Sequence, residues 1–378
     1  MELTVGPNQF FWSAERWTSF YDDLAKAPVN RVVLGELVCS KRLPFFQDRI
    51  PDAISTIVDA GKEVALTSLA LVTLKRERKL TGELSEMGVE VEVNDLTALA
   101  HLPAGLPFSV GPLVNVYNEG TLSWLASRGA TRVCLPPELP LASVSSLARA
   151  GADAGLAVEV WGHGRLPLAI SGRCYHARLH GRSKDNCQFA CEDDPDGLAV
   201  HTLEGKPFLA MNGVQTLSDS YTCAAYQIDA LRDAGVNALR LSPQSTGFTA
   251  ICGLYRQLLD GVVDADHLVD AMSRIDAAMR LSDGFLTGPR GADWSGKTVQ
   301  PLSPPAPGAA ARPGRTGAGL RPRARILAAT AASNKRRQPD PLRHLTNRQS
   351  LRVGNRLSML QCRSGRLDRC SNPNRCPA

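Results

Sequence analysis

The stretch "RVVLGELV", residues 31–38, is mostly apolar, with Arg31 and Glu36 its charged members, has the length of a strand and is too short for an ordinary helix. Runs of the same kind recur on both sides of it. Upstream lies "LTVGP" (3–7). Downstream lie "EVALTSLAL" (63–71), "VEVEVND" (89–95), "FSVGPLV" (108–114), "RVCLPPEL" (132–139), "LAVEVWGHG" (156–164) and "ALRLSP" (238–243). Between them, segments such as "PFFQDRIPDAISTIVDAGK" (44–62) and "TLSWLASRGA" (121–130) suit amphipathic helices closed by glycine near their C-termini. Strands alternating with helices are βα units, and eight of them in about 250 residues predict an α/β fold of the TIM-barrel-like (β/α)8 type. A doubly wound sheet has the same local signature. Residues 165–237 are too long for one βα connection, so they are expected to form a cysteine-bearing insertion, with a small β element near "KPFLAMNGVQTLSDSY" (206–221).

The chain has 378 residues, enough for one large or two ordinary domains, and its 43% hydrophobic content is enough to bury a substantial core. The start, "MELTVGPNQFFWSAERW", lacks a basic region followed by an apolar run, and no stretch reaches the roughly 18–20 apolar residues of a membrane span. The expected location is cytoplasmic. In that compartment thiols stay reduced, so clustered cysteines point to metal or redox chemistry rather than disulfides.

Charge is unevenly distributed. Residues 298–378 hold 15 Arg, one Lys and two Asp, a net +14, whereas the remaining 297 residues hold 27 basic and 35 acidic groups, a net −8. An acidic body removes the compositional case for direct nucleic-acid binding by the folded part. The tail, 297–378, also carries 10 of the 25 prolines and no useful periodicity, and is expected to be disordered. An Arg-rich tail can hold nucleic acid or acidic lipid. Its Arg, Pro, Ala and Gly excess is also what a GC-rich gene yields when read out of frame past its stop, and that reading is favoured. Cys362, Cys370 and Cys376 are then incidental.

The barrel's 1–296 body holds seven of the ten cysteines. Cys39 follows the second strand, and Cys174 opens the insertion after the seventh. Both positions lie beyond C-terminal strand ends, the face where such barrels build sites. Cys174, Cys187 and Cys191, separated by twelve and three residues, could converge there with Cys39. Four sulfurs suit a tetrahedral zinc or an iron-sulfur cluster, and spacing alone leaves both open beside unligated thiols. Cys134, Cys223 and Cys252 sit among apolar or small residues and read as core packing. His163, His176 and His180 lie near the cysteine segment and could act as ligands or proton donors, but nothing in their spacing demands a metal, and a surface or hydrogen-bonding role is the favoured reading.

The stretch "EVWGHGRLPLAISGRCYHARLHGRSKDNCQFAC" (159–191) resembles the signature of the collagenase-like (U-type) peptidase family, through Glu159, Trp161, His163, Gly164, Gly172, Arg173 and Cys174. The similarity runs from "VGPNQFFW" to about "GPRGADWSG". Typical members place a cysteine three residues after the His-Gly pair, where this chain has Pro167. That departure, with "GELVCSKR" and "KDNCQFAC", favours the ubiquinone-biosynthesis branch, which recruits an N-terminal cysteine. The resemblance implies a 4Fe-4S cluster on Cys39, Cys174, Cys187 and Cys191. It also implies a heterodimer with a UbiU-like homologue, a lipid-binding UbiT-like accessory protein, and oxygen-independent hydroxylation of a prenylated ring precursor of ubiquinone with prephenate as hydroxyl source. It names no catalytic residue here. Some relatives act in RNA hydroxylation, which is the rival expectation. A peptidase is a weaker one, since the sequence has no HExxH motif and no recognisable Ser or Cys nucleophile signature.

Overall fold

A computed structural model describes residues 1–296; the tail expected over 297–378 lies outside the described residues. Seven strands come first: β1 (Glu2–Val5), β2 (Arg31–Leu34), β3 (Glu63–Thr67), β4 (Glu90–Val93), β5 (Phe108–Val110), β6 (Ala130–Cys134) and β7 (Ala157–Ile170). An excursion then supplies β8 (Leu198–His201), β9 (Pro207–Asn212) and β10 (Gln215–Cys223), before β11 (Ala238–Leu241). Strands β1 to β7 pair in parallel in sequence order, and β11 pairs in parallel with both β7 and β1. Eight parallel strands therefore close on themselves, and helices surround them. The fold is the (β/α)8 barrel that the eight apolar runs predict.

The helices are amphipathic for the expected reason. In α1 (Ala14–Lys26), Ser13 caps the start by accepting the Arg16 N–H, and Trp17, Tyr21 and Leu24 form one buried face at helical spacing. In α2 (Ile50–Asp59), Ile50, Ala53 and Ile57 do the same. Next come α3 (Lys75–Leu84), α4 (Glu119–Ser127) and α5 (Leu141–Asp153). The last of these buries Leu141, Val144, Leu147, Ala148 and Gly151.

Strands end sooner than their apolar runs. The run 31–38 is strand only to Leu34, because Gly35 turns the chain at φ +108°, a left-handed conformation that residues with a side chain rarely adopt. The run 108–114 stops at Val110 before "GP", and 132–139 stops at Cys134 before "LPP". In each case the leftover apolar residues form rim loops. Strand β7 does the opposite and runs on past the barrel to Ile170. Its first part pairs with β6 and β11, and its second part pairs antiparallel with β10, with β9 and β8 beyond. The insertion thus grows out of the barrel wall as an antiparallel sheet that stands over the rim.

The barrel interior carries charge. Arg240 on β11 bridges Glu92 on β4 and Glu159 on β7, all three essentially solvent-free. Arg31 on β2 reaches Glu90 at 2.6 Å and Ser109 at 2.9 Å. Arg240, Glu92, Glu159 and Arg31 are each buried with a partner, the condition under which a barrel core tolerates charge. Glu159, the first residue of the family-like stretch, is therefore placed in the barrel core.

Candidate metal centre

The segment after β2 is shaped by one buried carboxylate. Glu36 Oε1 accepts the backbone N–H groups of Val38 at 2.7 Å and Cys39 at 2.8 Å, which curls the chain so that Cys39 turns over the rim. Burial pushes the Glu36 carboxyl up, and the Arg42 guanidinium opposes that shift.

The insertion brings the other three cysteines. Cys174 is the N-cap of the short helix α6 (Tyr175–Leu179), and its sulfur accepts the Ala177 N–H at 3.4 Å. Between Cys187 and Cys191 the backbone passes through two left-handed residues that are not glycine, Gln188 at φ +48° and Phe189 at φ +52°. Such conformations persist where surrounding structure overdetermines them. Phe189 is held by ring contacts to Phe11 and Phe45, with centroids 5.6 and 4.8 Å away. A short turn then presents Cys191.

All four cysteines line one cavity, together with Lys41, Arg42, His176, Lys184, Phe189 and Gly213. The sequence-derived set Cys39, Cys174, Cys187 and Cys191 is thus brought together, and all four are free thiols. Cys134, Cys223 and Cys252 are not part of it; each is buried in the barrel body. Burial raises the Cys39, Cys174 and Cys191 thiols, and Arg42 opposes the rise in each. Among the described residues no carboxylate lines the cavity, whereas the three cations Lys41, Arg42 and Lys184 do. That donor set fits a group that binds thiolates and carries negative charge, and an iron-sulfur cluster is such a group.

Arg42 is the residue that sequence reading missed. Its side chain is 1% exposed and reaches the Cys191 sulfur. Its Nη1 donates to the Gln9 carbonyl at 2.9 Å and its Nη2 to Asn212 Oδ1 at 2.8 Å. Asn212 Nδ2 donates to Gln215 Oε1, Gln215 Nε2 donates to Gln9 Oε1, and Gln9 Nε2 donates to Ser242 Oγ at the end of β11. A continuous buried hydrogen-bond network therefore runs from the cysteine cavity to the barrel mouth. Gly213 closes the approach: at φ +64°, an added β-carbon would sit 2.8 Å from Arg42 Nη2.

Of the histidines, His163 is fully buried at the barrel mouth, with Nε2 2.9 Å from Gln244 Oε1, and burial pushes it down to about 4. It takes the hydrogen-bonding role. His176 is buried beside the cavity, and His180 is exposed. A second feature absent from the sequence reading is an apolar cleft of about 170 Å³ between the ends of β2 and β3 and the helices α2 and α3. Leu43, Ile50, Leu66, Leu80 and Leu84 line it together with the carboxylates Glu36 and Glu83, and Glu36 is the one that also holds the Cys39 turn.

Fold and site together define a (β/α)8 barrel with a four-cysteine centre built on its C-terminal rim by an insertion after the seventh strand. Residues 15–296 match the model of peptidase family U32, and the chain belongs to that family. A protein of Porphyromonas gingivalis (strain ATCC BAA-308 / W83) named a collagenase is 21% identical over 156 residues, 36% of each chain. The match thus spans about a third of that relative's length. Among solved structures, an uncharacterized B. cereus protein is similar at 13% identity and TM-score 0.38, over 70% of this chain and 66% of that one. The Bacillus cereus spore cortex-lytic enzyme SleL is similar at 8% identity and TM-score 0.34, over 69% and 75%. At those TM-scores neither likeness carries an argument, and the fold rests on the strand pairing.

Proposed function

We propose that this chain is an iron-sulfur protein of the UbiV type, a subunit of an oxygen-independent hydroxylase complex in ubiquinone biosynthesis. The observation that carries the reading is the convergence of Cys39, Cys174, Cys187 and Cys191 on one carboxylate-free, cation-lined cavity. Cys39 is the telling member, because it comes from a different part of the barrel and stands where the branch lacking the cysteine at Pro167 recruits its fourth ligand.

When bound, a 4Fe-4S cluster supplies electron transfer, which ordinary side chains cannot. Hydroxylation of a ring without dioxygen needs another oxygen donor, and prephenate is the proposed one. The chain's own residues have separate tasks. The four cysteines hold the cluster, the Ala177 N–H donates to the Cys174 sulfur, and Arg42, Lys41 and Lys184 balance negative charge. Phe189, packed on Phe11 and Phe45, keeps water from one side of the site. The apolar cleft beside Glu36 suits an apolar ring substrate better than a peptide or an RNA strand.

The proposed partners are a UbiU-like homologue as heterodimer and a UbiT-like lipid-binding protein that presents the prenylated precursor. The proposed location is the cytoplasm. Among the described residues no helix is long and apolar enough to cross a membrane. The test is a strain lacking this gene, grown without oxygen. Loss of ubiquinone with accumulation of the unhydroxylated precursor supports the reading. Normal ubiquinone with loss of an RNA hydroxylation assigns the chain to the rival branch chemistry instead.

A further inference from the structure

A second cluster of ligand atoms lies beside the cysteine cavity and uses none of its sulfurs. His176 and His180 stand four residues apart on and just after α6, with their rings near parallel at 5.4 Å between centroids. Asp194 lies three residues beyond Cys191. One nitrogen from each imidazole and one carboxylate oxygen of Asp194 all fall within 4.8 Å of one another.

His176 is prepared for a ligand in a way that an incidental histidine is not. It is 1% exposed, and its Nδ1 donates to the Met211 carbonyl at 3.1 Å, which fixes the ring and leaves Nε2 to face the cluster of ligands. That anchoring of the far nitrogen is the usual support of a metal-bound imidazole. Among the described residues Nε2 itself has no hydrogen-bond partner, although Asp194 Oδ2 is 3.0 Å away, so the two atoms are close without the alignment that a hydrogen bond needs. Two ligands on one tetrahedral ion with bonds of about 2.0–2.1 Å stand roughly 3.3 Å apart, inside the range these three groups span.

We propose that His176, His180 and Asp194 bind one divalent ion of the zinc class, with water in the fourth position on the exposed His180 side. Two imidazoles and a carboxylate are borderline and hard donors, so they select such an ion, while the thiolates next door select iron and sulfide. The placement gives the ion a task. His176 follows Cys174 by two residues and Asp194 follows Cys191 by three, so the ion clasps the two ends of the loop that carries three of the four cysteines.

The probe is Co²⁺ titrated into anaerobically purified, cluster-loaded protein, followed by its ligand-field absorption and displaced by Zn²⁺. Wild type is expected to take up one cobalt with a nitrogen- and oxygen-type spectrum that lacks thiolate charge transfer. His180→Ala or Asp194→Asn should weaken that binding at least about tenfold, and the double variant should abolish it. Iron and sulfide content, measured in the same samples, should stay at one cluster per chain in freshly prepared variants. His180 is exposed and Asp194 partly so, and neither substitution opens a core cavity. Equal cobalt uptake by wild type and the double variant, or a spectrum of thiolate character, would overturn the proposal and leave the His176–Asp194 contact as an ion pair. The iron assay keeps this outcome separate from failure of the iron-sulfur reading.

Discussion

Replacing Arg42 with Met should destabilise the rim and the cysteine centre together. Met fills similar space, so the loss is electrostatic rather than a cavity. The Gln9 carbonyl and Asn212 Oδ1 each lose a donor, and the buried Glu36 and the Cys39 and Cys191 sulfurs lose the guanidinium charge that acts on them. A hydrogen bond from a charged group contributes about 1.5–3 kcal/mol. Removing one partner of a buried charged set costs about 3–5 kcal/mol, and because the two figures describe the same groups the larger range is the total. At about 2 °C per kcal/mol for a body of this size, the melting temperature should fall by roughly 6–10 °C. Arg42→Lys keeps the charge but reaches only one of the two acceptors, so it should lose about half as much. Thermal melting by circular dichroism, with iron counted per chain, measures both. An Arg42→Met protein that melts within about 2 °C of wild type, or a Lys variant no better than Met, would refute the view that this guanidinium ties the centre to the barrel.

Other outcomes follow from burial and from the tail. His163 is held near 4 in the folded chain against an ordinary 6.5, so the unfolded chain takes up its proton first as the pH falls. Its contribution is complete above pH 6.5 and is lost down to about pH 4, on the order of 3 kcal/mol, and His163→Gln should flatten that part of the stability profile. A variant with the same slope as wild type across that window would contradict the assignment. Truncation after Gly296 should leave melting temperature and iron content unchanged, because the tail's composition cannot bury a core; a large loss of either would show that the tail takes part.

Much of this was legible in the chain. The eight apolar runs locate all eight barrel strands, because each run must cross a core that helices cover. Their ends were less legible: an apolar residue such as Leu37 or Leu135 reads the same in a strand as in a buried rim loop. The four cysteines are found from residue type, spacing and resemblance. Arg42 is not, since a lone arginine in "CSKRLPF" gives no sign that Gln9 and Asn212, 33 and 170 residues away, will converge on it. The charged barrel interior did leave a trace. Glu92 lies between Val91 and Val93, and Arg240 between Leu239 and Leu241, alternations that mark an inward-facing charge in need of a partner. The apolar cleft left none, because its lining comes from four separate elements.

The central claim is that Cys39, Cys174, Cys187 and Cys191 are the ligands of one 4Fe-4S cluster, and iron and sulfide analysis of anaerobically purified single Ala variants tests it most directly. The four-cysteine assignment predicts about four irons and four sulfides per chain in wild type. It predicts a sharp loss in each of the four variants, and wild-type content in Cys134→Ala, Cys223→Ala and Cys252→Ala, whose sulfurs are buried in the barrel body. A full cluster in Cys39→Ala, with loss in any of the three core variants, would contradict it.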